Sequence, residues 1–203
     1  MNVLEAIALR HTVRDYRPDP VPEETLRRLV EAAHLAPSSW NLQPWEFVVV
    51  TDPGMKRALR AACNDQQQVE QAGAAIVCLG SMRQQDALAD RIEATLGPDT
   101  TPEQQERIRR TVQKMRHDEV FRRSHVITNS YIAVAYLTLA AMEYGLGTCW
   151  MGSFDADMVR AVLSIPEEYV VVSVVSVGWP AAEPELLPHR RRPVEQVLRW
   201  NGF

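Results

Sequence analysis

A stretch of nine residues, residues 37–45, holds the side chains in this sequence that are best suited to bind a flat polar ligand. It reads Pro-Ser-Ser-Trp-Asn-Leu-Gln-Pro-Trp and lies between a helix-patterned segment and a strand-patterned one. Its prolines stiffen the loop, its carboxamides both donate and accept hydrogen bonds, and its indoles offer stacking surfaces. The stretch is a candidate for holding a heteroaromatic ring, although its composition also suits an ordinary helix-to-strand turn.

A second polar stretch, residues 10–14, follows an opening helix-like run and reads Arg-His-Thr-Val-Arg. Guanidinium groups bind phosphate through paired hydrogen bonds, and a hydroxyl adds a further donor. The two arginines with Thr12 between them therefore suit a phosphate or another polyanion. Taken alone, the pattern is more typical of a solvated helix end, where the helix dipole favours cations.

The composition of the chain is that of a globular domain. Its 203 residues are 46% hydrophobic and 24% charged, which fits one domain with a full core. The net charge of −4 argues against a general nucleic-acid binder. Cys63, Cys78 and Cys149 form no C-x-x-C pair and have no histidine at metal-ligand spacing, which favours free thiols and no metal site. Without a signal-peptide pattern or an uninterrupted membrane-spanning run, we expect a cytoplasmic protein that contacts no membrane.

Hydrophobic periodicity predicts an α+β domain. Asn2 and Glu5 have the spacing of a capping box, which predicts a short first helix. A second helix is predicted to begin at Pro22 and to end before Pro37. Further helices are predicted at residues 55–63 and 156–163, and strands at residues 46–51, 74–79 and 169–177.

The remaining segments differ in polarity. Residues 82–124 contain a highly charged stretch with few apolar positions, which predicts a helical excursion or lid. Residues 126–144 are apolar on several sides, as in a helix that is buried centrally or at a subunit contact, and Gly145 is placed to end it. Residues 180–203 begin with a run rich in proline and charge and predict an extended tail. Since there is no linker or repeat, residues 1–203 are predicted to form a single domain.

Four separated stretches, residues 10–14, 37–45, 145–152 and 190–193, occur in the order and spacing of the nitroreductase family. The chain resembles that family from about residue 6 to about residue 200. The resemblance implies a nitroreductase-like fold, with a central mixed but mainly antiparallel sheet flanked by helices and an intertwined homodimer. It also implies an FMN cofactor at the subunit interface. The glycine-rich third stretch is no dinucleotide fingerprint, because a long helix rather than a strand precedes it.

By the same resemblance, three groups of residues would contact the flavin. The phosphate and ring edge would be approached by Arg10, His11, Thr12, Arg14 and, from the tail, Arg191. The partner chain would contribute Pro37, Ser38 and Ser39, with Asn41 near the ring and Gln43 equally suited to fixing its own loop. The backbone of Met151, Gly152 and Ser153 would lie beside the ring, and Gln66 would touch its pyrimidine edge, in a register left open by Gln67 and Gln68.

The activity implied by the resemblance is that of an FMN-dependent oxidoreductase. Reducing equivalents from NADH or NADPH would pass to nitroaromatics, quinones or similar electron-poor compounds in alternating, ping-pong half-reactions. No titratable catalytic residue stands out, and His11 and Tyr131 are interpreted as structural. The alternatives are a reductive dehalogenase, an ene reductase or a flavin-cleaving enzyme of the same fold, or a flavin-binding protein without turnover.

Three positions depart from the family pattern. His11 stands where arginine is more common, which reduces the positive charge unless the imidazole is protonated. Trp40 stands where small residues are common, so its indole would narrow the pocket or cover the ring. His189 lies two residues before Arg191, where some relatives carry a second basic side chain. These departures bear on cofactor affinity and substrate size.

Overall fold

A four-stranded sheet lies at the centre of the chain, in a computed structural model that describes residues 1–182 and 191–203. The strands are β1 (Trp45–Val50), β2 (Ala74–Ser81), β3 (Gly147–Met151) and β4 (Tyr169–Gly178). Their order across the sheet is β1-β2-β4-β3, and every pairing between neighbours is antiparallel. Strands β1 and β3 are therefore the two edges. The predicted α+β class with a mainly antiparallel sheet is confirmed.

Helices cover both faces of this sheet. The described residues contain α1 (Val3–Leu9), α2 (Glu23–His34), α3 (Pro53–Ala62), α4 (Gln68–Gln71), α5 (Met82–Glu93), α6 (Pro102–His117), α7 (Glu119–Glu143) and α8 (Ala156–Leu163), with short 3₁₀ turns at Ser39–Asn41 and Val194–Gln196. The capping box predicted for the first helix is present, because the side chains of Asn2 and Glu5 each accept from the other residue's backbone N–H. Pro22 is the residue before α2 rather than its first residue.

The side chains of β2 alternate between two hydrophobic cores. Ile76 and Cys78 pack with residues of α2 and α7 on one face. Val77 and Leu79 pack with residues of α3 and α8 on the other face. Strand β2 is buried along its whole length, as expected for a strand covered on both sides. Strand β1 lies at the edge of the sheet and is less buried, with Val49 39% exposed.

The long apolar helix begins earlier than predicted. Helix α7 starts at Glu119 because the carboxylate of Asp118 accepts the backbone N–H of Phe121 and caps it. Gly145 follows its end with a φ of +68°, the left-handed conformation that glycine adopts without strain. By length and composition α7 could cross a membrane, with a mean hydropathy of 1.3. Its packing against α2 and the sheet is instead that of a core helix.

The charged segment predicted as an exposed excursion forms two helices with a small core of their own. Val112 and Met115 of α6 are buried against Leu88 and Ile92 of α5. Leu42, from the polar loop before β1, is buried in the same cluster. These apolar positions are therefore packed against each other rather than solvated, while the role of residues 82–124 as an excursion or lid stays a prediction.

Two expectations concern the end of the chain. No strand was predicted within the glycine-rich residues 145–152, but five of them form β3, which is too short and too close to glycines to show a clear pattern. Most of the extended run predicted after Pro180, including His189, lies outside the described residues. Residues 191–203 are exposed throughout.

Candidate active site

The N-terminal segment after α1 is fixed along the β3 edge of the sheet. Thr12 forms a parallel bridge with Thr148 of β3, and the backbone N–H of Val13 donates to the carbonyl of Thr148 at 3.0 Å. The buried hydroxyl of Tyr16 donates to the carbonyl of Val13 at 2.8 Å and lies 2.9 Å from Ser176 Oγ. Burial raises the pKa of Tyr16, so this hydroxyl stays neutral. Residues 10–16 are thereby part of the sheet's rigid frame.

Gly147 makes this close approach possible. A Cβ atom at Gly147 would lie 2.6 Å from Cγ2 of Val13, well inside van der Waals contact. The absence of a side chain lets Val13 lie directly over the start of β3. The glycine at this position therefore positions the 10–14 segment.

A pocket of about 630 Å³ lies beside this segment, and we call it the β3-edge pocket. It is within the usual size range for small-molecule sites. It joins two cations, hydroxyls, an indole and an apolar wall from α1 and α7. Its lining residues are Ile7, Ala8, Arg10, Thr12, Ala135, Thr138, Leu139, Trp150 and Arg191.

The structure brings together three of the five residues predicted at the phosphate end. Arg10, Thr12 and Arg191 line the β3-edge pocket, although Arg191 is 181 positions away from Arg10 in the chain. The Nδ1 atom of His11 lies 2.9 Å from the carbonyl oxygen of Leu9. Since a carbonyl only accepts, Nδ1 carries a hydrogen and the ring is held toward its own backbone. Arg14 is exposed on the chain segment beyond the buried Val13.

The far end of β3 carries the predicted ring-edge residues. Met151 is buried, whereas Gly152 and Ser153 are exposed, and a Cβ at Gly152 would meet no atom within 4 Å. The amide of Gln66 donates to the carbonyl of Ser153 at 3.2 Å, and Asn64 Nδ2 donates to Ser153 Oγ at 2.8 Å. Gln66 and Ser153 therefore form one bonded unit next to open backbone at Gly152.

The 37–45 loop lies at the opposite edge of the sheet, where β1 begins. Three strand spacings, about 14 Å, separate β1 from β3. Pro37, Ser39 and Asn41 are exposed and Ser38 is half-buried. Gln43 serves its own loop, since its backbone N–H donates to Ser38 Oγ at 2.9 Å and its amide to the carbonyl of Asn41 at 3.4 Å. One chain therefore does not bring the 37–45 loop to the β3-edge pocket.

Sequence reasoning missed side chains that line or support these sites. Trp150 lies in the glycine-rich stretch 145–152 and was not singled out from the sequence. Its indole lines the β3-edge pocket and is tilted against Tyr131, with the ring centroids 5.4 Å apart. If residues 147–151 had been recognised as a strand, the alternation of side chains would have placed Trp150 on the other face of the strand from Cys149 and Met151. Asn129, which bonds to the 37–45 loop, was visible as a polar residue in an apolar helix.

Comparisons with known proteins agree on one family. The model of the nitroreductase family matches residues 7–179. A protein of Thermus thermophilus named NADH dehydrogenase is 40% identical, over 94% of this chain and 92% of its own. MhqN of Bacillus subtilis, named as a candidate NAD(P)H nitroreductase, is 30% identical over 89% of each chain. The crystal structure of a candidate nitroreductase from Exiguobacterium sibiricum in complex with FMN superposes with a TM-score of 0.78, at 25% identity over 98% of this chain and 97% of that one.

Proposed function

The chain belongs to the nitroreductase family and is an oxidoreductase, and we propose that its cofactor is FMN, held at a site that two copies complete. We propose further that it takes electrons from NADH or NADPH and reduces nitroaromatics, quinones or similar electron-poor compounds by a ping-pong mechanism. The observation that carries the proposal is the β3-edge pocket, where Arg10, Thr12 and Arg191 share a cavity with Trp150.

The cationic end of this pocket fits a phosphate. Arg10 and Arg191 present planar sets of N–H donors, which pair with phosphate oxygens in bidentate fashion. Thr12 adds a hydroxyl from a backbone that is anchored to β3. His11 and Arg14 stand on the same segment and would add to the positive potential or to the ring edge.

The other end of β3 fits the edge of a flavin ring. The backbone of Met151, Gly152 and Ser153 would supply N–H donors, and the open space at Gly152 lets a flat group approach the backbone closely. Gln66 is held by Ser153 and would complete a polar edge there. The indole of Trp150 lies between the two ends and would give apolar cover.

The second copy would complete the site and bury surfaces that one chain leaves open. Helix α1 has no buried residue, with Leu4 77% exposed. Helix α7 exposes Tyr131 and Tyr136 beside it. The described tail exposes Trp200 and Phe203. Such a set of apolar surfaces is typical of a subunit interface. A homodimer would also place the partner's Pro37, Ser38, Ser39 and Asn41 against the β3-edge pocket, which their own chain cannot do.

The protein's own groups would orient and shield the reactants. Bound FMN supplies the redox chemistry, because it accepts a hydride from a nicotinamide and passes reducing equivalents on. The ionisable side chains that line the β3-edge pocket in the described chain are two arginines, which bind anions rather than transfer protons. His11 is bonded to the carbonyl of Leu9 and Tyr131 is packed on Trp150, so protons would come from solvent. We therefore assign no catalytic acid.

Substrate selection would depend on the elements around the second copy's loop. Leu42 of the 37–45 loop packs into the core of α5 and α6, so those helices and Trp40 would form one lid over the ring. The three cysteines are free and buried, which suits a reducing compartment, and we propose a cytoplasmic location.

The decisive experiment is a visible absorption spectrum of protein that has been supplied with FMN and then desalted. We expect a retained flavin band that bleaches without oxygen when NADH or NADPH is added and returns when a quinone or nitroaromatic compound follows. A band that persists with both nicotinamides would indicate a flavin binder without this turnover. Loss of the band on desalting would refute the FMN assignment.

A further inference from the structure

The 37–45 loop has a backbone conformation that depends on its surroundings. Trp40, Asn41 and Gln43 have φ values of 53°, 53° and 46°, and none of them is glycine. Residues with a Cβ atom rarely occupy this left-handed region. Consecutive residues of this kind persist where packing and hydrogen bonds fix them. The loop must therefore be anchored from outside.

Bonds within the loop set its internal shape only. The N–H of Asn41 donates to the carbonyl of Ser38, and that of Leu42 donates to the carbonyl of Ser39, each at 3.0 Å. The end nearer β1 is anchored by the side chain of Leu42, which is 1% exposed among α5 and α6. The end that carries Ser38 and Ser39 needs a separate attachment.

Asn129 of α7 provides that attachment. Its Oδ1 accepts the backbone N–H of Ser39 at 2.8 Å, and its Nδ2 donates to the carbonyl of His125 at 2.7 Å. Because Ser39 N–H only donates and the carbonyl only accepts, the orientation of the carboxamide is fixed. Asn129 is 4% exposed, so its own carboxamide is largely shielded from water. A buried helix is thus tied to Ser39.

We propose that Asn129 is a positioning residue for the cofactor. It holds the backbone of Ser39 and thereby sets the direction in which Pro37, Ser38 and Ser39 are presented to the other copy. This role rests on the proposed FMN site at the subunit interface. Asn129 touches neither the cofactor nor the substrate in this scheme and acts through Ser39 alone.

The first test uses flavin-free protein, so that it is independent of the cofactor. Asn129→Leu keeps the approximate volume and removes both hydrogen bonds. We expect the Ser39 amide to exchange with solvent about tenfold faster or more in NMR measurements. Ser130→Ala is the matched control, because Ser130 is fully buried in the same turn of α7 and its hydroxyl has no partner in the described residues. Unchanged exchange at Ser39 in Asn129→Leu would overturn the proposal.

The second test asks whether Asn129 acts on FMN through Ser39. Ser39→Pro removes the N–H donor, and Ser38, with φ −145° and ψ 155°, already has a conformation that a following proline accepts. Ser39→Ala is its control, since it loses the hydroxyl but keeps the N–H. We expect Asn129→Leu and Ser39→Pro each to raise the dissociation constant for FMN about tenfold beyond the controls.

The double variant decides between a shared and a separate role. If both changes break the same bond, the double variant loses no more affinity than either single variant. Additive losses of about a hundredfold, or FMN affinity that stays at the control level, would overturn the role of Asn129 toward the cofactor. If the wild-type protein retains no FMN, the proposed function fails, while Ser39 exchange still decides whether Asn129 holds the loop.

Discussion

At the β3 edge of the sheet, side chains from the N-terminal segment, β3 and the tail converge on one pocket, whereas at the β1 edge a single loop exposes its polar residues to solvent. The two edges are also held differently. Backbone pairing with Thr148 fixes Thr12 at the β3 edge. Two buried side chains, Asn129 and Leu42, fix the loop at the β1 edge.

In the proposed dimer, each chain would carry two halves of a site that it does not itself close. The β3 edge supplies charge and a cavity, so it can begin to bind an anionic ligand within one chain. The β1 edge has a cavity of about 800 Å³ beside Phe47 and Val49, but none of the residues that line it belongs to the 37–45 loop. Its rigid anchoring makes sense if the loop serves a cavity on a second copy.

The largest effect is expected from removing the charge of the β3 edge. The double change Arg10→Ala with Arg191→Ala should raise the dissociation constant for FMN by about 10²–10⁴, because each charged hydrogen bond contributes about 1.5–3 kcal/mol. Flavin fluorescence titration measures this. The matched control is Arg109→Ala with Arg123→Ala, which makes the same charge change on exposed helix positions. Equal affinity in both double variants would show that the phosphate binds elsewhere.

Mixed dimers test directly whether the β3 edge of one chain and the β1 edge of another form one FMN site. One chain carries Arg10→Ala and Arg191→Ala, and the other carries Ser39→Tyr. Because Ser39 is exposed, the tyrosine should fit its own loop but block the partner's pocket. Each homodimer should retain almost no FMN. A heterodimer purified through two different tags should retain about one FMN, since one of its two sites has both halves intact. A heterodimer without flavin would place both halves of the site in one chain.

The sequence allowed the polar stretches and most elements to be predicted, because their signals are local. The capping box at Asn2 and the strand pattern at residues 169–177 depend on neighbouring residues alone, and both are confirmed. Strand β3 was missed because its five residues, the first of which is Gly147, carry too little pattern, and Trp150 was missed with it. The contact of Asn129 with Ser39 spans 90 positions, and no local rule predicts such a pair.

A smaller effect is expected where the N-terminal segment crosses β3. Gly147→Ala would place a methyl group 2.6 Å from Val13, and relief of that clash should cost about 1–3 kcal/mol of unfolding free energy. It should also shift residues 10–14 and weaken FMN binding, while leaving Ser39 exchange unchanged. Urea unfolding and flavin titration measure the two effects. The control is Gly97→Ala, since a Cβ there would meet no atom within 4 Å. Equal stability of both variants would refute the close approach.

The smallest effect is expected at the β1 edge, as a dependence of stability on pH. Burial lowers the pKa of His125, which donates from Nδ1 to Gln85 Oε1 at 2.9 Å and stacks on Phe121. The unfolded chain then binds a proton more readily than the folded one, so the free energy of unfolding should fall as the pH drops below about 6.5. The fall should level off below the folded-state pKa.

The variant His125→Asn keeps a donor for Gln85 but does not titrate, so its stability should lose this part of the pH dependence. The control His117→Asn, at an exposed position, should keep the same pH dependence as wild type. If the urea midpoints of wild type and His125→Asn instead fall in parallel between pH 8 and pH 5, His125 is protonated as readily in the folded protein as in the unfolded chain. The helix beneath the loop would then be more open to water than its packing indicates.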